Sequence, residues 1–200
     1  MATDGDARVC AVRSDWDRGW FGGAVRLDSP NFGPRSPAAV IDLILLHSIS
    51  LPPGDFGGPA VLQLFTNTLD WDAHPYFQQI RGLTVSAHFL VRRDASLLQF
   101  VSCDARAWHA GVSCHRGREN CNDFSIGIEL EGLEGGSFEP EQYAVTAALC
   151  AAIARQYPIG HVAGHEHVAP GRKYDPGTGF DWPSFRRMLA WDAAYFPPGV

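Results

Sequence analysis

The stretch VIDLILLH, residues 40–47, constrains the fold more than any other part of the chain. Apart from Asp42 and the terminal His47 it is aliphatic and partly β-branched, with no polar alternation. An unbroken run of this kind is what a strand buried on both faces gives, as in the parallel part of a sheet. His47 stands where that strand ends.

The rest of the chain supplies elements to surround it. VSAHFLVRR and SLLQFV, separated by the turn-like DA, read as a β-hairpin, and SIGIELEG alternates as a further strand. A loop rich in Pro and Gly, SLPPGDFGGPAV, leads to a short helix near residues 60–69. From Pro140 to Tyr157 the apolar positions Val145, Leu149, Ala152, Ile153 and Tyr157 recur at three and four, a helix face with Pro140 at its first turn. A closing helix is expected near residues 182–191. These elements predict a single α+β domain, a mixed central β-sheet flanked by helices. Residues 1–38, with DSPNFGPRSP, form an irregular N-terminal segment packed on a domain that spans 39–200. There is no internal repeat, and 200 residues at 46% hydrophobic suit one globular domain with a sizeable core.

Net charge and segment composition exclude several classes. A formal charge of −6 leaves no basic patch for nucleic acid. The acidic start MATDGDARVC lacks the basic and apolar regions of a signal peptide, and no run reaches the roughly eighteen apolar residues a membrane helix needs. A soluble, cytoplasmic, monomeric protein is expected. The five cysteines, Cys10, Cys103, Cys114, Cys121 and Cys150, are scattered without a C-x-x-C, so they read as reduced and structural.

Chemistry concentrates in two places. In SIGIELEG a period of two sends Ile126, Ile128 and Leu130 to one face and Ser125, Gly127, Glu129 and Glu131 to the other. A glycine inside such a strand marks close approach by a ligand or another backbone. In GHEHVAPGRKYDPG, residues 164–177, His165 and His167 share a face if the chain is extended, as do Lys173 and Asp175. A catalytic zinc takes three His or carboxylate ligands and keeps a fourth position open, and His47 is an obvious third supplier. Spacing alone does not choose among His47, His88, His109, His161, His165 and His167.

Five blocks in order resemble one family. LLHSISLPPGDFGGPAVLQLFTNTLD, VSAHFLVRRDASLLQFV, RAWHAGVS, CNDFSIGIELEG and GHEHVAPGRKYDPG together look like the AmpD family of cytosolic zinc amidases that cleave N-acetylmuramoyl-L-alanine linkages. The resemblance implies the type 2 amidase fold shared with peptidoglycan recognition proteins, and a Zn2+ cofactor held by His47, His165 and Asp175. It implies Glu129 as the catalytic general base, Lys173 as stabiliser of the oxyanion, and a soluble anhydromuropeptide as substrate. Trp108 and His109 fall in a block that borders the groove. His88 reads as hydrogen-bonded, and His161 and His167 as structural.

The chain departs from the family pattern at Ser48, Thr84 and Asn120, where Asn, Arg and Arg are common. With those arginines replaced, Arg116 and Arg118 of CHRGREN, just ahead of the Glu129 strand, are the nearest cations in sequence to receive stem-peptide carboxylates. Two other functions fit the same fold: a zinc-free peptidoglycan-binding module, disfavoured because His47, His165, Asp175 and Glu129 are all present, and a phage-type lytic amidase acting on intact wall.

Overall fold

A computed structural model describes residues 15–199. Residues 1–14, Cys10 among them, and residue 200 lie outside it. Six strands form the central sheet: β1 Val25–Arg26, β2 Leu43–Ile49, β3 Phe89–Val91, β4 Leu97–Gln99, β5 Ser125–Glu131 and β6 His161–Gly164. Their spatial order is β6-β2-β5-β3-β4-β1. Strands β6, β2, β5 and β3 run parallel, and β4 turns back antiparallel to β3 as the expected hairpin. The sheet is mixed, as the sequence predicts.

Leu43, Ile44, Leu45 and Leu46 of β2 are all fully buried. The reason is cover on both sides. On one face Ile44, Leu46, Ile126, Ile128 and Leu130 pack with residues of α3 Pro140–Gln156 and α5 Trp182–Leu189. On the other, Leu90 and Leu98 pack with α1 Ala60–Phe65 and α2 Pro75–Gln79, while Leu43 and Leu45 meet Ala110, Cys121, Phe124 and Val168. Burying each such Leu or Ile is worth about 1.5–3 kcal/mol, so this bilayer of cover anchors the strand in one register.

Local signals set the helix ends. Pro140 opens α3 and the Glu139 N–H donates to Gln142 Oε1 at 3.0 Å, while Pro158 follows its last turn. Asp181 caps α5 by accepting from the Ser184 N–H at 2.9 Å. The first helix is shorter than expected, ending at Phe65 rather than near residue 69, because Asn67 takes a left-handed φ of 58°.

Residues 15–38 run along the sheet edge, where Val25–Arg26 pairs with β4 and the buried Gln99 side chain bonds Phe21 N and Gly19 O. Arg35 reaches furthest in, donating to the carbonyls of Cys103, Asn122, Asp123 and Ser125. Among the described residues no helix is long and apolar enough to cross a membrane, and Cys103, Cys114, Cys121 and Cys150 are free thiols.

Candidate metal centre and active site

Parallel pairing fixes what lies at the C-terminal ends of the central strands. Glu129 of β5 is the register partner of His47 on β2, and Gly164 of β6 is the partner of Leu46. His165, one residue beyond Gly164, therefore arrives beside His47. Crevices at the carboxyl ends of parallel strands are where open α/β sheets bind ligands.

The stretch that follows does not stay extended. His165–Val168 forms a single helical turn, α4, so His165 and His167 do not share a face. His167 turns back to accept from the Gly164 N–H at 2.9 Å and packs on Trp182. The chain then returns: the Glu166 N–H donates to the Asp175 carbonyl at 2.9 Å, which brings Asp175 back against His165.

Three ligand-type atoms meet here. His47 Nδ1 lies 3.0 Å from His165 Nδ1 and 3.1 Å from Asp175 Oδ2, and His165 Nδ1 lies 3.2 Å from the same oxygen. All three residues are buried. His165 Nε2 faces the Ala110 carbonyl at 3.0 Å, an acceptor, so its proton sits there and its Nδ1 carries a lone pair. A bare nitrogen and a carboxylate oxygen at 3.2 Å repel unless a cation lies among them. Four ligands set tetrahedrally about 2.0–2.1 Å from zinc are about 3.3 Å apart, close to the edges of this triangle. The donor set fits a divalent cation of that kind.

Protonation states agree with the fit. Burial pushes the His47 imidazole down to about 4, only partly offset by the neighbouring Asp175 carboxylate, so it is neutral. Burial alone would raise Asp175, but the close contacts with His165 and His47 outweigh it and hold the carboxyl well below the usual range. Neutral imidazoles and an ionised carboxylate are the forms that bind metal.

Glu129 stands on the same face and is 8% exposed. Its Oε2 is buried with no hydrogen-bond partner among the described residues. Burial drives its pKa well above the ordinary value, the Asp175 charge adds to the rise, and Lys173 opposes it. A carboxylate so placed is a strong base with nothing to accept from until a ligand arrives.

These groups line a cavity of 540 Å³, together with Lys173, Trp108 and His109. Leu64, Phe65, Tyr76, Ile80, Leu83 and Val85 form an apolar wall that no sequence motif pointed to. Their only signal is the ordinary apolar content of the region. The polar face of β5 holds a second surprise. Glu131, expected on the same carboxylate face, is buried and accepts from the Gly57 and Arg93 N–H groups, tying the loop that carries Ser50, Leu51 and Pro53 to the cavity rim. Gly127 does mark a close approach, but by a side chain: a Cβ there would lie 2.6 Å from the His109 ring. His88 stays out of the cluster, accepting from the Gly127 N–H at 2.9 Å.

Arg116 and Arg118, the expected receivers of stem-peptide carboxylates, do not line this cavity. Their hairpin lies at the N-terminal end of the sheet, not at the cavity. Arg118 Nη2 donates to Asp42 Oδ1 at 2.9 Å, with its guanidinium 4.0 Å over Phe124. Arg116 lines a separate cavity with His115, His161 and Tyr195, and donates to Ala194 O. A loop leading into a parallel strand arrives at its N-terminal end, while Glu129 sits near the other end of β5, so nearness in sequence is distance in space. Of the three departures, Ser48 lines the cavity, Thr84 is exposed between lining residues Leu83 and Val85, and Asn120 faces another cavity.

The N-acetylmuramoyl-L-alanine amidase family profile matches residues 37–178. The 1,6-anhydro-N-acetylmuramyl-L-alanine amidase AmpD of Salmonella typhimurium is 50% identical over 176 residues, covering 87% of this chain and 94% of that protein. The protein of the same name from Escherichia coli is 49% identical over 176 residues, covering 87% and 96%. A crystal structure of a selenomethionine derivative of AmpD superposes with a TM-score of 0.82 at 50% identity, covering 86% of this chain and 98% of that one. A profile match over five of the six central strands, and relatives half identical along nearly their full length, place this chain in the N-acetylmuramoyl-L-alanine amidase family.

Proposed function

We propose that this chain is a zinc-dependent amidase that cleaves the amide between the lactyl carbonyl of 1,6-anhydro-N-acetylmuramic acid and L-alanine of the stem peptide. It acts as a monomer on soluble anhydromuropeptides in the cytosol, in peptidoglycan recycling. The observation that carries this reading is the triangle of His47 Nδ1, His165 Nδ1 and Asp175 Oδ2 beside the partnerless Glu129 Oε2. The names of the two half-identical relatives supply the substrate. Four free cysteines among the described residues, three of them buried, fit a reducing compartment.

His47, His165 and Asp175 would hold the zinc, whose Lewis acidity lowers the pKa of water and polarises a carbonyl. Glu129 takes the proton of the attacking water as its oxygen bonds to the lactyl carbon. Its raised pKa makes it willing to take that proton and, as the C–N bond breaks, to deliver it to the departing L-alanine nitrogen. Lys173 brings a positive charge to the cavity, suited to the oxyanion. Trp108 and the apolar wall offer surface for the sugar and keep bulk water from the reacting bond. The products are a free lactyl carboxylate and the peptide amine.

The test is release of L-alanyl peptide from soluble anhydromuropeptide and from intact sacculi, with zinc supplied. Preference for the soluble substrate is the expected result. Preference for sacculi would indicate a lytic enzyme, and no turnover on either a binding module.

A further inference from the structure

Behind the metal triangle runs a line of hydrogen bonds whose direction can be assigned from its far end. The Cys121 carbonyl only accepts, so Ser125 Oγ, 2.6 Å away, donates its one proton there. The serine oxygen is left with lone pairs. His109 Nε2, 3.4 Å from it, then presents an N–H, and His109 Nδ1 is bare. That bare nitrogen lies 3.0 Å from His47 Nε2, which therefore carries the His47 proton. The remaining nitrogen of His47, Nδ1, is the atom that faces His165 and Asp175.

The next residue serves the other imidazole. The Ala110 carbonyl accepts from His165 Nε2 at 3.0 Å, so two consecutive residues orient both histidines of the triangle. Asn122 Oδ1 clamps the pair by accepting from the His109 and Ala110 N–H groups at 3.1 and 2.8 Å. The His109 ring has little freedom: Gly127 leaves room for it, and His47 and His88 pack edge-on at 5.0 and 5.6 Å.

We propose that His109, aligned by Ser125 and seated over Gly127, is a positioning residue that fixes His47 as the Nε2–H tautomer and so presents its Nδ1 to the metal. This rests on the metal-site reading above. A metal-bound histidine ordinarily gives its distal N–H to a carboxylate, carbonyl or water; here the acceptor is a second imidazole, itself set by a hydroxyl. His109 thus acts on the metal through His47.

The test compares wild type, His109→Leu and His109→Asn by titrating the zinc-loaded proteins with a chelator. Loss of the acceptor in His109→Leu should raise the zinc Kd roughly 10- to 100-fold. His109→Asn should recover most of that, since its Oδ1 can stand near the lost Nδ1 and accept from His47. A zinc Kd for His109→Leu equal to wild type overturns the proposal, as does a loss that Asn does not rescue. If wild type itself binds no zinc, the functional reading falls with it; if wild type binds and His109→Leu matches it, only the role of His109 falls. Nitrogen-15 NMR of the zinc-loaded wild type decides independently of whether a variant folds. The expected spectrum has the His47 proton on Nε2 and His109 Nδ1 bare, and a proton on His109 Nδ1 overturns the assignment.

Discussion

The same central strands end in two very different ways. At their N-terminal ends charges are met by the chain itself: Arg35 donates to four carbonyls, Arg118 pairs with Asp42, and Arg106 pairs with Asp123. At their C-terminal ends buried polar groups are left at odds, with a partnerless Glu129 Oε2 and bare nitrogens aimed at one another and at a carboxylate. One end is satisfied by the fold itself. The other is satisfied only by something the chain does not contain, which is how a fold stores the capacity to bind a cation and substrate.

Substitutions at the two ends should separate activity from stability. The largest effect is expected for His47→Ala, His165→Ala or Asp175→Ala, which should abolish turnover and cancel the stabilisation that zinc gives, since a ligand stabilises only the state that holds it. Kinetics with thermal unfolding at several zinc concentrations checks both. A fully active Asp175→Ala would place the metal elsewhere.

Next comes Glu129→Gln, with an expected fall in kcat of roughly 10²-fold or more and zinc content unchanged. Its stability effect has the opposite sign. Because the folded-state pKa of Glu129 is raised, its favourable contribution is fully present below the unfolded value of about 4.3 and is lost as pH rises through the folded value. In metal-free protein at pH 7 Glu129→Gln should therefore melt higher than wild type, and the difference should vanish near pH 4. Equal melting at both pH values would remove the idea of a strained carboxylate. Lys173→Ala should lower kcat by about 10² to 10³ if it serves the oxyanion, with little change in melting because its side chain is exposed.

At the opposite end the pattern should invert. Arg35→Ala strands several buried carbonyls at about 1–3 kcal/mol each, so a loss on the order of 3 kcal/mol is expected, or roughly 6–12 °C in Tm. Its kcat/KM below the transition should match wild type. The smallest effect is expected for Arg116→Ala and Arg118→Ala. Neither should change kcat/KM for substrates with long or short stem peptides, and the half-exposed Arg118–Asp42 pair is worth at most about 1 kcal/mol. Selective loss on the long stem would return these arginines to substrate binding.

How much of this was legible in the sequence differs between the two ends for a physical reason. The doubly buried run Leu43–Leu46, the hairpin and α3 are local patterns, and they appear where periodicity puts them. The polar face of SIGIELEG was not legible as a buried face. Its alternation is real, but all seven residues are buried: the His109 ring lies over Gly127, the Gly57 and Arg93 N–H groups close on Glu131, and nothing local announces that cover. His47 and Asp175, 128 residues apart, could be joined only through the resemblance of whole blocks, since spacing left six histidines in play. Arg35 carried no local signal at all: its role exists only once Ser125 and Asn122 have been brought to it.

The most direct measurement is zinc per chain, by elemental analysis after dialysis against zinc and removal of excess. Wild type, Glu129→Gln and Arg118→Ala should each hold one zinc, and Asp175→Ala should hold none. Zinc retained at one per chain in Asp175→Ala, or absent from wild type, would contradict a cation site at the C-terminal strand ends.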